Sequence, residues 1–486
     1  MAFFLLTCLF PLVMTYDLEK CAINSTQEID CHGEDPSLNI TLREWSGVKQ
    51  VVVQCPGPLL VQRPRECPCL PNPIDCRGEE VDAWTFKSCP IPSQQGAIAE
   101  VMEKCGSLSA VASVAFTSYS GQVPFSPHLF AQLTNLTSLS LVENNFTTLP
   151  KGIFHETKNL KKLWLDDDNS EDGEYLIIDL TNLEELELGM YAIKSLESSS
   201  HLNQHTLKQL NLSSNAIKSL DNHTFQDLYS LEWLDLSTNH LKDLDEDLLA
   251  GNPLLTELVL KENLISVLPE FLFHSNAKLQ KLELQGNLNL MLLPGLLFEK
   301  TPFLSHLNLN NCNLTDSSLD PKLFTFTPEL DYLDLGRNKL KEIKAYWFKN
   351  LAALKTLRLS HNRIVAIKPG SFSSLHSLHY LHLDHNQLIR LDGSGWRGVP
   401  KLLELNLEDN QLNSIDGLRL LPELQRLNLS SNRLTRLPQH VVDWWNSSTL
   451  TTSFQVEIQF QKFHFSNFKL GGERFLRTDN QNIFFN

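Results

Sequence analysis

One string, LxxLxLxxNxL, recurs thirteen times in this chain, and its first leucine stands at 136, 160, 183, 207, 231, 255, 279, 304, 330, 354, 378, 402 and 424. The step is 24 residues, with excursions only to 22, 23, 25 and 26. A unit of that size cannot bury its own apolar face, so successive units have to stack and share one continuous core. The usual allowance of about 150 residues per domain, which would divide 486 residues into roughly three globules, therefore does not apply.

Within each unit the LxL segment, such as Leu210-Asn211-Leu212 or Leu333-Asp334-Leu335, alternates apolar and polar residues as a half-buried strand does. Stacked strands form a parallel sheet with the leucines inward. The pattern is identified as a leucine-rich repeat array, which implies an α/β solenoid, a horseshoe with a parallel concave β-sheet. Asn144, Asn215, Asn239, Asn263, Asn287, Asn338, Asn362, Asn386, Asn410 and Asn432 fill the N slot in ten of the thirteen units. An amide there both donates and accepts, which satisfies backbone groups where the strand leaves the sheet. Cys312 takes the slot in one unit and reads as a small buried residue. A matched aromatic in the second half of most units (Phe154, Phe225, Phe273, Phe298, Phe324, Phe348, Phe372, Trp396) predicts a packed spine, not a cofactor box. The ladder lapses at Asp168 and Tyr191, and the run Asp166 to Tyr175 between them holds six carboxylates and no base. Such a run is commonly a solvated loop; the alternative is a site relaxed to meet a basic partner.

Flanking segments complete the organisation. Residues 1–16 contain the apolar run Ala2 to Met14, too short for a bilayer, and read as a secretory signal peptide removed near Thr15 to Asp17. Residues 17–112 hold Cys21, Cys31, Cys55, Cys67, Cys69, Cys76, Cys89 and Cys105, an even, dense set expected to form a disulfide-rich N-terminal cap of open connectivity. Zinc at Cys67, Cys69 and Cys76 is the second reading of part of that set. The array occupies 113–438. Residues 439–486 carry no cysteine and read as an atypical tail, either an improvised cap or, as favoured here, a truncated or aberrantly spliced end. No later run is apolar and long enough to span a membrane, so the chain as written is expected outside the cell. Sequons at Asn24, Asn39, Asn135, Asn145, Asn211, Asn222, Asn313, Asn428 and Asn446 agree with export.

Composition narrows the function. The net charge of −16 disfavours nucleic acid as a partner, because affinity for phosphate comes from clustered Lys and Arg. With 42% hydrophobic and 20% charged residues the chain is neither disordered nor a membrane bundle. Gly393 to Gly398 formally matches GxGxxG, yet Trp396 within it fills a spine slot and no βαβ unit surrounds it. HExxH, P-loop and GxSxG strings do not occur, so neither an enzyme nor a cofactor or metal is expected. His361 and His385 occupy one slot in adjacent units, near His382 and Asp384; solvent-facing histidines are the common outcome, a pH-sensitive patch or weak metal site the rarer one.

The remaining candidate is the concave face. Trp and Tyr between inward leucines have little structural use and are the residue types that dominate protein interfaces. Trp164, Trp233, Tyr332 and Tyr380 are the expected anchors, and Asp166, Asp167, Glu187 and Asp235 the complementary charges. The sequons Asn211 and Asn428 fall in the same columns, so a lateral edge or the outer side is an alternative route.

The segment Lys87 to Gly106 (KSCPIPSQQGAIAEVMEKCG), the cysteine-rich stretch before it, and repeats such as LHYLHLDHN (Leu378 to Asn386) resemble the ectodomain of the invertebrate Toll receptors, over roughly residues 20 to 438. The resemblance implies a receptor that binds a dimeric cystine-knot cytokine of the Spätzle type in innate immunity or development, with receptor dimerisation possible. Toll receptors are single-pass plasma membrane proteins that continue into a cysteine-bearing cap, a membrane helix and a TIR domain, and these are not in this sequence. A secreted leucine-rich adhesion or matrix protein is the alternative.

Overall fold

A computed structural model describes residues 21–23, 29–31, 39–45, 48–54, 83–87, 108–117, 128–142, 150, 152–165, 180–190, 193–196, 205–391, 395–415, 421–434, 455–459, 476–479 and 482–485. They fall into two compact units, one of Met1–Ile217 with His223–Asp235 and one of Lys218–Asn222 with Leu236–Asn486.

The first unit contains β1 (Cys21–Ile23), β2 (Ile29–Cys31), β3 (Asn39–Trp45), β4 (Val48–Gln54), β5 (Ala83–Lys87), β6 (Ser113–Thr117), β7 (Ser138–Leu141), β8 (Lys162–Leu165), β9 (Glu185–Glu187), β10 (Gln209–Asn211) and β11 (Trp233–Asp235). Strands β1 to β4 pair antiparallel in sequence order, and from β4 to β11 every pairing is parallel. The second contains β12 (Glu257–Val259), β13 (Lys281–Glu283), β14 (His306–Asn308), β15 (Tyr332–Asp334), β16 (Glu342–Ile343), β17 (Thr356–Arg358), β18 (Ala366–Ile367), β19 (Tyr380–His382), β20 (Glu404–Asn406), β21 (Arg426–Asn428), β22 (Gln455–Gln459), β23 (Leu476–Asp479) and β24 (Asn482–Phe485). Its repeat strands run parallel through β21 onto β22, where β24 and β23 add antiparallel. Each unit is thus a leucine-rich β-solenoid of the horseshoe class.

Leucine on leucine sets the register. Leu282, Leu307, Leu333, Leu357, Leu381 and Leu405 face one another in successive strands although the intervening steps include 25 and 26 residues. A one-residue slip would turn every leucine to solvent, so length differences are absorbed in the return arms. The expected aromatic spine is buried throughout, with Phe273 and Phe298 stacked at 6.2 Å and Phe348 and Phe372 at 6.5 Å. Phe130 belongs to it as well, and Leu249 fills the same slot in the unit that starts at Leu231.

The helical half implied by an α/β solenoid is reduced to turns. One 3-10 helix, Leu108–Ala110, is the single helical element among the described residues. A 24-residue step leaves each arm room only for i→i+3 turns around its aromatic, as in Leu351 N–H to Phe348 O (3.1 Å) and Leu354 N–H to Leu351 O (3.2 Å).

The asparagine slot closes each turn. Asn362 donates through Nδ2 to Leu335 O (2.9 Å) of the preceding turn and to Leu359 O (3.1 Å) of its own, while its Oδ1 accepts from Leu340 N–H (3.0 Å). Asn263, Asn386 and Asn410 repeat the pattern, and all are buried. The residue before the asparagine adopts a left-handed backbone at Ser214, Thr238, Glu262, Arg337, His361, His385, Asp409 and Ser431, which reverses the chain out of the strand. Cys312 substitutes within this frame: its thiol donates to Leu284 O (3.2 Å), and burial pushes it up to about 12.

The disulfide pairing expected for the cysteine-rich cap lies outside the described side chains; Cys21 and Cys31 face each other in the β1–β2 register, and Cys55, Cys67, Cys69, Cys76, Cys89 and Cys105 lie outside the described residues. No helix among the described residues is long and apolar enough to cross a membrane.

Asn362→Ala strands two buried carbonyls and one buried N–H, so we expect a loss of about 2–3 kcal/mol in the urea unfolding free energy. In native protein at pH 8 the Cys312 peptide is expected to stay unalkylated by iodoacetamide and to react fully once urea is added, read by peptide mass spectrometry.

Candidate protein-binding face

Side chains of the repeat strands alternate, so the residues flanking each central leucine line the face opposite the core in two columns. In the second unit these columns are cross-braced. Lys281 Nζ lies 2.7 Å from Glu257 Oε1 and 3.5 Å from Glu283 Oε1. His306 Nε2 approaches Glu283 Oε1 at 3.2 Å, and Asn308 Nδ2 donates to Glu283 Oε2 at 2.9 Å. The His306 ring stacks on Tyr332 at 4.1 Å, nearly parallel, and the Arg358 guanidinium sits 5.8 Å from the Tyr332 ring centroid. Asp334 accepts from Gly336 N–H (2.8 Å) and Asn310 Nδ2 (3.2 Å). A continuous chain of charge and ring contacts therefore runs from β12 to β17.

Two carboxylates on this face are buried, Glu283 at 9% and Asp334 at 5% exposure. Burial by itself would raise the Glu283 carboxyl, but hydrogen bonds from His306 and Asn308, with the charges of His306 and Lys281, outweigh it and hold the group below its ordinary value. Burial and the neighbouring Asp334 charge raise the Tyr332 phenol, so the ring stays neutral. Burial and then the Arg358 charge lower His382. The result is a face of aromatic rings and fixed charges whose rotamers are already set, which reduces the entropy lost on docking a partner.

The expected anchors divide between the two units. In the first, Trp164 of β8 sits in register with Glu187 of β9, and Trp233 and Asp235 share β11; all four are half-buried. In the second, Tyr332 is half-buried and braced, whereas Tyr380, two strands away in the same column, is 37% exposed. Asp166 and Asp167 lie outside the described residues. Lys281, Glu283, His306 and Arg358 were not singled out from the sequence, although aligning the repeats by their leucines places His306 beside Tyr332.

Other surfaces differ in chemistry. At the strand-entry edge of the first unit Glu184 bridges Lys208 and Lys161, both at 2.9 Å, and these contacts lower its carboxyl to about 2. On the return arms of the second unit, Val267 bridges to Leu292, and Met291 is 70% exposed beside them, an apolar patch without periodic signal. The sequons Asn211 and Asn428 occupy the columned face, each with Oδ1 accepting from the N–H two residues on, at 2.7 and 3.0 Å. Asn135 and Asn313 are exposed at turns and Asn222 is half-buried; Asn39 begins β3, and Asn24, Asn145 and Asn446 lie outside the described residues.

The leucine rich repeat family profile matches residues 181–241, 230–290, 302–364, 328–388 and 380–434, together half of the chain. No curated protein matches the sequence. Among solved structures the chain is similar to a chain of the Toll–Spatzle complex of Drosophila, a molecular hub in development and innate immunity, with 23% identity and a TM-score of 0.60. That match covers 91% of this chain and 65% of the other, so the present chain spans less than two thirds of its length. A glycosylated form of the complex matches at 22% identity and TM-score 0.60, covering 92% and 68%. An LRR protein of Leptospira interrogans matches at 24% identity and TM-score 0.63, covering 77% of this chain and 94% of that one. At these identities the likeness is one of fold.

Glu283→Gln is expected to cost about 1–2 kcal/mol of unfolding free energy at pH 7. Because the folded carboxyl lies below its unfolded value, its contribution is present above the unfolded pKa and lost as pH falls through the folded one. Urea midpoints of wild type and variant should therefore converge towards acid pH, below the ordinary carboxylate range.

Proposed function

The chain belongs to the leucine-rich repeat family, and on that premise we propose that it is an extracellular protein-binding module whose ligand docks on the columned face of its sheets. The observation that carries this reading is the braced row Lys281–Glu283–His306–Tyr332–Arg358, with the more exposed Tyr380 beside it. None of these side chains contributes to the leucine core, yet they are held in place by one another as interface anchors are. The row spreads its polar groups along successive strands and does not converge them on one point, which suits an extended protein contact.

Of the protein ligands open to such a module, a dimeric cystine-knot cytokine of the Spätzle type fits best. The cysteine-rich stretch from Cys21 and the segment Lys87 to Gly106 after it, which resemble the start of Toll ectodomains, and the fold shared with a chain of the Toll–Spatzle complex support it. The net charge of −16 favours a basic ligand and an association rate that falls with salt. In that role the chain supplies recognition for signalling in immunity or development.

Surface plasmon resonance of the full chain against a panel of dimeric cystine-knot cytokines tests the proposal. We expect one member to bind, with Tyr332→Ala plus Tyr380→Ala weakening it by about a hundredfold, in keeping with two hot-spot aromatics. Absence of binding to the whole panel would sink the cytokine assignment, and binding unchanged in the double variant would move the site off this face.

A further inference from the structure

His361 and His385 occupy the same left-handed slot in consecutive turns, at φ 55° and 53°, and Asp409 follows in the next turn at 48°. This places their side chains in one column at the strand exit, away from the row described above. The two imidazoles stack at 4.1 Å with 7° between their planes. Asp384 joins them from the preceding position of the second turn: one ligand atom from each of His361, Asp384 and His385 lies within 4.8 Å of the other two. Ligand atoms around a tetrahedral zinc stand about 3.3 Å apart at bond lengths of about 2.0–2.1 Å, so binding requires the two rings to leave their parallel stack and tilt until their in-plane lone pairs converge on one point.

Two of the three components are also held from behind. Asp409 Oδ2 lies 2.8 Å from His385 Nδ1, so the proton on Nδ1 is donated to the carboxylate and the Nε2 lone pair is left for a cation. Ser360 Oγ donates to Asp384 Oδ1 at 2.7 Å and fixes that carboxylate. The hollow beside the pair, about 560 Å³, is lined by Asn362, Asn386, Gln387, Asn410 and Gln411 and is strongly polar. Arg337 in the preceding slot and Arg433, which lines the hollow, oppose a cation, and at His361 the Arg337 charge acts more strongly than Asp384 or Asp409; at His385 the Asp409 carboxylate is in direct contact. Two stacked surface histidines need no metal, but two histidines with a carboxylate beside them and a second carboxylate orienting one ring make up a donor set and its outer support.

We propose that His361, Asp384 and His385 form a binding site for a divalent transition metal of the zinc class, with Asp409 positioning His385 and a water in the fourth place. Two imidazoles and one carboxylate are the borderline donors that select zinc over magnesium or calcium. The solvent-facing fourth position leaves the ion accessible to a carboxylate or imidazole from outside the chain. This inference is independent of the cytokine reading.

The test is calorimetric titration of ZnCl2 into the untagged full chain at neutral pH, compared with His385→Asn, His361→Asn and Asp409→Asn. Asparagine tolerates the left-handed backbone, so unchanged urea midpoints without metal are expected to show the variants folded. Wild type should bind one equivalent that both histidine variants lose, and Asp409→Asn should weaken it by about tenfold, the usual effect of an outer carboxylate. Wild type taking up no zinc, or the histidine variants binding it as well as wild type, would overturn the site; an unchanged affinity in Asp409→Asn would overturn the positioning role alone.

Discussion

At the bend where a turn of this solenoid leaves its sheet, backbone carbonyls and amides are buried with no strand to pair them. The asparagine ladder resolves this. Asn362 and equivalents such as Asn263, Asn386 and Asn410 each tie two carbonyls and an amide across adjacent turns, so these turns are bonded to the ones before them by a side chain as well as by the sheet. Buried amides left unpaired would cost more than the leucines around them could easily offset. This explains why the slot tolerates Cys312, whose thiol still donates to a carbonyl, but otherwise admits so little variation among the described units.

The binding face follows from this arrangement. Once leucine register and asparagine bonds hold the strands in phase, the residues between the leucines are delivered to fixed columns whatever their identity. That freedom allows Glu257, Lys281, Glu283, His306, Tyr332 and Arg358 to be arranged as a braced row without disturbing the core. The same logic at the strand exit places His361 above His385 and Asp409 beside them. The two surfaces have different chemistry because the first column pair stands over the sheet and the second over the bend.

Much of this was legible in the residues. Leu210, Leu333 and their equivalents announce strands by alternation, Phe273 and Phe298 announce the spine by phase, and the asparagines mark the bends. Tyr332 and Tyr380 could be placed on the open face for the same reason. What escaped was pairwise: the salt link of Glu283 to His306, the ring stack of His306 on Tyr332, and the closure of the arms by turns in place of helices. Phe130 escaped because it precedes the first complete string, and Leu249 because the aromatic slot can be filled by any large apolar group.

The residues alone dictated the repeat, the inward leucines and the alternation of faces, since these are properties of a period and a period is visible in one dimension. Which side chains touch across turns was decided by stacking. Residues such as Glu283 and His306 stand 23 positions apart while Tyr332 follows His306 by 26, and only the register imposed by buried leucines and shared asparagine bonds brings all three together. Contact between neighbouring turns depends on how the arms absorb their unequal lengths, and that is settled by packing in three dimensions.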